Sequence, residues 1–116
     1  MAYSGSCHCG AVTFTVEGDV PTAALSCNCS HCRRKGLLLS FVPENQFTID
    51  SGTEGLQTYL FHKQQIEHQF CTTCGCQAFA TGSGPDGSRM AAINLRCVTF
   101  IDLDTLELQK MDGASF

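Results

Sequence analysis

The stretch GSCHCGAVTF, Gly5 to Phe14, decides how this chain is read. Its first half is a C-x-C pair, Cys7 and Cys9, followed at once by Gly10. Its second half opens an apolar alternation, Val12, Phe14 and Val16, and a period of two residues predicts a half-buried strand. A glycine directly after paired cysteines gives the positive-φ freedom that a tight metal-binding knuckle needs. The matching knuckle lies far downstream, where Cys71 and Cys74 form C-x-x-C and Gly75 follows. Two such knuckles on separated strands make one four-sulfur site and close a loop of more than sixty residues. Between them stands a third motif, C-x-C-x-x-C, formed by Cys27, Cys29 and Cys32.

Nine cysteines in 116 residues could mean disulfides or metal. Thiols one or two residues apart are awkward disulfide partners but natural joint ligands, and an odd number would leave one unpaired. Met1 to Gly5 is short and polar, unlike a secretory signal, so the expected compartment is the reducing cytoplasm, where dense disulfides would not persist. Zinc, held by thiolates at ~2.3 Å, is the expected ion. Eleven acidic residues against seven basic ones argue against a broad nucleic-acid surface. No apolar run approaches the ~18 residues of a membrane span. The length and 43% hydrophobic content suit one domain over residues 1–116, large enough to bury a core without staples.

The rest of the chain reads as mostly β with very little helix. Leu37 to Val42, closed by Pro43, suits a buried strand; Phe47 to Ile49, Leu56 to Phe61, Ile66 to Phe70, Gln77 to Thr81 and Met90 to Arg96 are further strands. Ser83 to Ser88 is expected at a hairpin tip, and Ser30 to Lys35 is the one helical segment.

Cys7, Cys9, Cys71 and Cys74 complete a structural site. Cys27, Cys29 and Cys32 supply three ligands, and a zinc with an open fourth position has catalytic form. Such an ion can act as a Lewis acid or activate a thiol. Alternatively Cys76, Cys97 or His31 closes the site, although His31 is strained by its adjacency to Cys32, and Cys97 is as readily a buried apolar thiol. Seven thiolates and two zinc ions would move the net charge from −4 to about −7. Arg33, Arg34 and Lys35 either offset that charge and cap the short helix, or attract the carboxylates of an acidic thiol. His8 is expected to point away from the metal, His62 and His68 to be surface or satisfied core residues, and Asp86 and Arg89 to be solvated.

Taken together, GSCHCGAVTF (Gly5 to Phe14), CNCSHCRRKG (Cys27 to Gly36), FCTTCGCQAF (Phe70 to Phe79) and INLRCVTF (Ile93 to Phe100) resemble the glutathione-dependent formaldehyde-activating enzyme family, also called the centromere protein V family. The resemblance implies a β-tent fold with two zinc ions, the structural one on Cys7, Cys9, Cys71 and Cys74 and the catalytic one on Cys27, Cys29 and Cys32. It implies a carbon–sulfur lyase that interconverts S-hydroxymethylglutathione with glutathione and formaldehyde, with Arg33 and Arg34 as candidates for holding the glutathione carboxylates. Two features depart from the family pattern. Cys76 stands where the family does not require cysteine, and the chain stops at Phe116 where relatives often continue, so the pocket is expected to be more open if that tail helps to wall it. The rival expectation is a non-catalytic binding or scaffold module in which zinc serves only the fold. A redox dithiol at Cys71 and Cys74 would need a βαβ context that this chain lacks, and a rubredoxin-like iron site there would be coloured.

Overall fold

The computed structural model describes residues 1–60, 66–84 and 86–112. Among them, ten strands and one helix follow in order: β1 (Ala2–Ser6), β2 (Thr13–Glu17), β3 (Ala23–Cys27), α1 (Ser30–Lys35), β4 (Leu39–Pro43), β5 (Phe47–Ser51), β6 (Leu56–Tyr59), β7 (Ile66–Cys71), β8 (Phe79–Ser83), β9 (Arg89–Asn94) and β10 (Glu107–Met111). The strands form a three-stranded sheet, β1-β2-β5, and a seven-stranded sheet, β10-β3-β4-β9-β8-β7-β6. All pairings are antiparallel except the parallel pair of β10 with β3. The expected mostly-β class holds.

The alternation of the opening stretch does what its period demands. Phe14 and Val16 on β2 are fully buried while Thr13 and Thr15 face outward and bond Ser51 and Asp50 of β5. Phe14 and Phe47 of the small sheet meet Phe79 of the large sheet at ring-centroid distances of 6.0 and 4.8 Å, and this three-ring cluster joins the two sheets.

β8 and β9 are apolar on both faces because both faces are covered. Phe79, Ala91 and Ile93 point to the core shared with the small sheet. Ala80 and Ala92, paired directly across β8 and β9, point to the other side and pack with Cys32, Leu37 and Leu39. Small side chains at that register leave room for α1 to lie against the sheet. The helix ends where the Gly36 N–H bonds the Cys32 carbonyl, and Arg33, Arg34 and Lys35 fill its last turn, where cations complement the exposed carbonyls.

Several boundaries differ from the sequence expectations. β4 begins at Leu39, which is buried beside the helix, while Phe41 on the same face is exposed and Val42 on the other face packs against the main core. β8 begins at Phe79, and the segment to Arg96 leaves β9 at Asn94 for a 3-10 turn, Leu95–Cys97, which Asn94 caps through its side chain. β6 ends at Tyr59; Phe61 and His62 lie outside the described residues. The hairpin tip between β8 and β9 is closed by the Gly84 N–H to the Ser88 carbonyl, with Asp86 accepting from the Ser88 amide and hydroxyl. Arg89 is half exposed but not simply solvated, since it bridges Glu44 at 3.0 Å and Glu67 at 2.7 Å. No helix among the described residues is long and apolar enough to cross a membrane.

Candidate functional site

The first thiol cluster sits where the two sheets are stitched together. Cys7 and Cys9 follow β1; Cys71 ends β7, and Cys74 lies in the turn after it. Gly10 at φ +82° and Gly75 at φ +78° take the left-handed conformation that the knuckles require. Their amides close the turns onto the carbonyls of Cys7 and Cys71. The four sulfurs lie within 4.8 Å of one another, with Cys9 Sγ 3.6 Å from both Cys7 Sγ and Cys71 Sγ. Backbone N–H groups of Cys9 and Cys76 aim at Cys74 and pull its thiol down to about 6, and the Cys74 and Thr73 amides lower Cys71 in the same way. Amides that stabilise thiolates prepare the cluster for a cation.

The second cluster is local. Cys27 ends β3, Cys29 caps α1 by accepting the Cys32 N–H at 3.3 Å, and Cys32 is buried in the helix. The Cys29 N–H in turn reaches Cys27 Sγ at 3.5 Å. These three sulfurs also fall within 4.8 Å of one another. Burial works against ionising Cys29, but the Cys32 amide and the neighbouring thiols outweigh it and lower its pKa. Burial and the negative charge on its neighbours push Cys32 up. Cys29 and Cys32 thus shift in opposite directions, and a cation at the cluster would favour the thiolate of both.

Cys27 and Cys32 line a cavity of about 720 Å³ whose walls also carry Leu38, Arg33, Arg96 and Lys110. Arg33 is thus on the wall of this cavity. Arg34 does not line this cavity; its Nη1 donates to the Ser30 carbonyl of its own helix. Lys35 turns to the opposite side, bonds Gln77 Oε1 at 2.7 Å and lies over the Phe70 ring.

Neither Cys76 nor Cys97 joins the three-cysteine cluster. Their sulfurs face each other at 3.5 Å, with Cys97 buried and its pKa raised by that burial. His8 is exposed between its two cysteines. His31 and His68 are buried together, ring centroids 3.9 Å apart, with Tyr59 stacked on His31 and Gln77 Nε2 3.3 Å from His68 Nδ1. This pair docks α1 onto β6 and β7, and it was not visible in the sequence because its members stand on elements far apart in the chain. Arg96 and Lys110 were missed for the same reason, since the exposed β10 carries no apolar alternation.

The chain's likeness to known proteins follows this geometry. The model of a family described as glutathione-dependent formaldehyde-activating enzyme matches residues 2–109. The crystal structure of a Rhodobacter sphaeroides protein is similar, with a TM-score of 0.78 and 27% identity, covering 91% of this chain and 99% of that one. Both thiol clusters and the cavity wall as far as Arg96 fall inside the family match, and the chain belongs to the glutathione-dependent formaldehyde-activating enzyme family.

Proposed function

We propose that this protein is a zinc-dependent carbon–sulfur lyase acting on small thiol adducts, interconverting S-hydroxymethylglutathione with glutathione and formaldehyde. Family membership supports a glutathione-dependent, formaldehyde-activating function in general. The observation that carries the finer reading is the contrast in ligand number. Four sulfurs complete one cluster, whereas the other has three, two of them on the wall of a cavity.

The donor sets fit zinc, being all sulfur, closely grouped and served by backbone amides. Cys7, Cys9, Cys71 and Cys74 would hold a structural ion, and Cys27, Cys29 and Cys32 a second. Zinc at the second cluster supplies a Lewis-acid position that favours the thiolate of a bound thiol below its free pKa of ~8.5. The Cys32 and Cys29 amides fix the cluster's sulfurs, and Leu37 and Leu38 keep water from one side of the cavity. Arg33 is placed to meet a carboxylate of the incoming thiol. In the forward direction a sulfur lone pair forms the C–S bond to the formaldehyde carbon. The carbonyl pair moves to oxygen, and the proton lost by the thiol ends there; the reverse step breaks the same bond. The reduced thiols this requires suit a reducing compartment such as the cytoplasm.

Native mass spectrometry with and without glutathione, joined to NMR exchange between formaldehyde and S-hydroxymethylglutathione, tests the reading. Two zinc ions per chain, the second perturbed by glutathione, and exchange faster than the uncatalysed reaction are expected. One zinc per chain, or exchange at the uncatalysed rate, overturns it. Two tightly held ions indifferent to glutathione would favour the scaffold module instead.

A further inference from the structure

Seven of the nine cysteines fall into the two clusters, and the remaining two, Cys76 and Cys97, are not scattered. Their sulfurs face each other at 3.5 Å although they stand 21 positions apart in the chain. The register of the β8–β9 hairpin brings them together. Phe79 pairs with Ile93, and the next contact outward runs from the Asn94 N–H to the Ala78 carbonyl at 3.0 Å. Cys76 and Cys97 lie just beyond, one on each arm, at the open end of the hairpin. Among the described residues, no third metal-ligating side chain groups with them.

Both backbones are fixed. The Cys76 carbonyl accepts from the Cys71 N–H at 3.0 Å, which closes the second knuckle. Cys97 ends the 3-10 turn Leu95–Cys97, and its carbonyl abuts Gly5, where an added Cβ would come within 2.6 Å of it. Asn94 joins the two arms. Its Oδ1 accepts from the Arg96 N–H at 3.2 Å and caps the turn, while its Nδ2 donates to the carbonyl of Gln77, the neighbour of Cys76, at 2.9 Å. A disulfide has an S–S length of ~2.05 Å, so the two sulfurs need to approach by only about 1.5 Å. Because the fold already holds both arms, closing the bond orders little that is not ordered before it. Exposure is unequal: Cys76 is partly exposed and Cys97 is buried. One thiol can be reached from solvent, and the other can be reached only through it.

We propose that Cys76 and Cys97 are a reversible dithiol–disulfide pair, a site of oxidation by low-molecular-weight disulfides that is separate from both thiol clusters. The chemistry is a double exchange. The Cys76 sulfur attacks one sulfur of the small disulfide, forms a mixed disulfide and expels the other sulfur as a thiolate, which takes up the Cys76 proton. The Cys97 sulfur then attacks the Cys76 sulfur, its proton passes to the second leaving thiolate, and the Cys76–Cys97 bond closes. Two protein thiols are oxidised, and one small disulfide is reduced to two thiols. The new bond clamps the open end of the β8–β9 hairpin and ties the second knuckle to the turn that carries Arg96. None of this depends on the lyase reading.

Oxidised glutathione is the probe, applied to the zinc-loaded protein, with disulfide mapping by mass spectrometry and zinc content followed together. The chain should lose two hydrogens and gain a Cys76–Cys97 cross-link at least about tenfold faster than any clustered cysteine is oxidised. Its zinc content should not change, and dithiothreitol should restore both thiols. Cys97→Ala should halt at a glutathione adduct on Cys76, whereas Cys76→Ser should leave Cys97 unmodified. Oxidation that begins at Cys27, Cys29 or Cys32 with release of zinc overturns the proposal. So does a glutathione adduct that persists on Cys76 of the unaltered chain, or a pair that stays reduced throughout. The cross-link map of the unaltered chain decides the matter even where a variant does not fold.

Discussion

The two thiol clusters use the same local device, backbone amides aimed at sulfur across tight turns, yet they occupy opposite kinds of place. The first spans 62 residues of sequence between Cys9 and Cys71 and joins the strand ends of both sheets. The second spans only Cys27 to Cys32 and rests on the outer face of the large sheet, beside a cavity. A metal at the first closes a long loop and therefore acts on the unfolded chain as much as on the folded one. A metal at the second would organise one short helix and stand beside the cavity. On the proposed reading, cluster position, more than cysteine chemistry, separates a fastener from a reaction centre.

The strongest way to break this contrast is Cys74→Ser. Structural zinc is worth on the order of 10 kcal/mol of apparent folding free energy, comparable with a small domain's whole stability of about 5–15 kcal/mol. The variant is expected to be unfolded, as read by loss of chemical-shift dispersion. Cys29→Ser should instead remain folded with one zinc fewer and lose formaldehyde exchange. Serine is also a good helix cap, so the bond from the Cys32 amide has a replacement acceptor. Equal loss of folding in both variants would erase the division between the clusters.

A smaller effect probes the docking of α1. Burial first, and then the nearby His31 and Lys35 charges, hold His68 down at about 4 against an ordinary 6.5. Between those values the unfolded chain binds the proton that the folded one refuses, so stability is full above pH 6.5 and falls as pH drops toward 4. The total is about 3 kcal/mol for a shift of this size. His68→Gln should flatten the denaturant-midpoint curve over that window, with His31 leaving a residual slope in the same direction. An unchanged slope would detach the histidine pair from helix docking. The smallest expected change is for Cys76→Ser, which should keep two zinc ions and lose under about 1 kcal/mol. Loss of the second ion there would make Cys76 a ligand after all and close the open site.

Much of this organisation was legible because its signals are short. Knuckle spacing, the Val12–Phe14–Val16 alternation and the six-residue helix with its basic end can each be read within one window. β1, β3 and β10 were not found. In β1 only Tyr3 is buried, in β3 only Ala24, and β10 is exposed throughout, so none carries an apolar stripe. Their strand character comes from partners elsewhere in the chain. The candidate site divides in the same way. Its sulfurs lie within a few residues of each other and were found, as was Arg33 beside them. Arg96 and Lys110 reach the cavity only through a 3-10 turn and a parallel pairing that no local pattern encodes.

That parallel pairing of β10 with β3 joins the last described strand to one made much earlier in synthesis. The three-cysteine motif is made early, while the strand that lays Lys110 along its cavity is made long after; the Asn28–Asp112 bond that ties them spans 84 residues. A growing chain can therefore hold all three cysteines before the strand that completes this side of the cavity is made. A polypeptide cut short before β10 would keep the three cysteines yet lose Leu108 and Lys110 from the cavity wall.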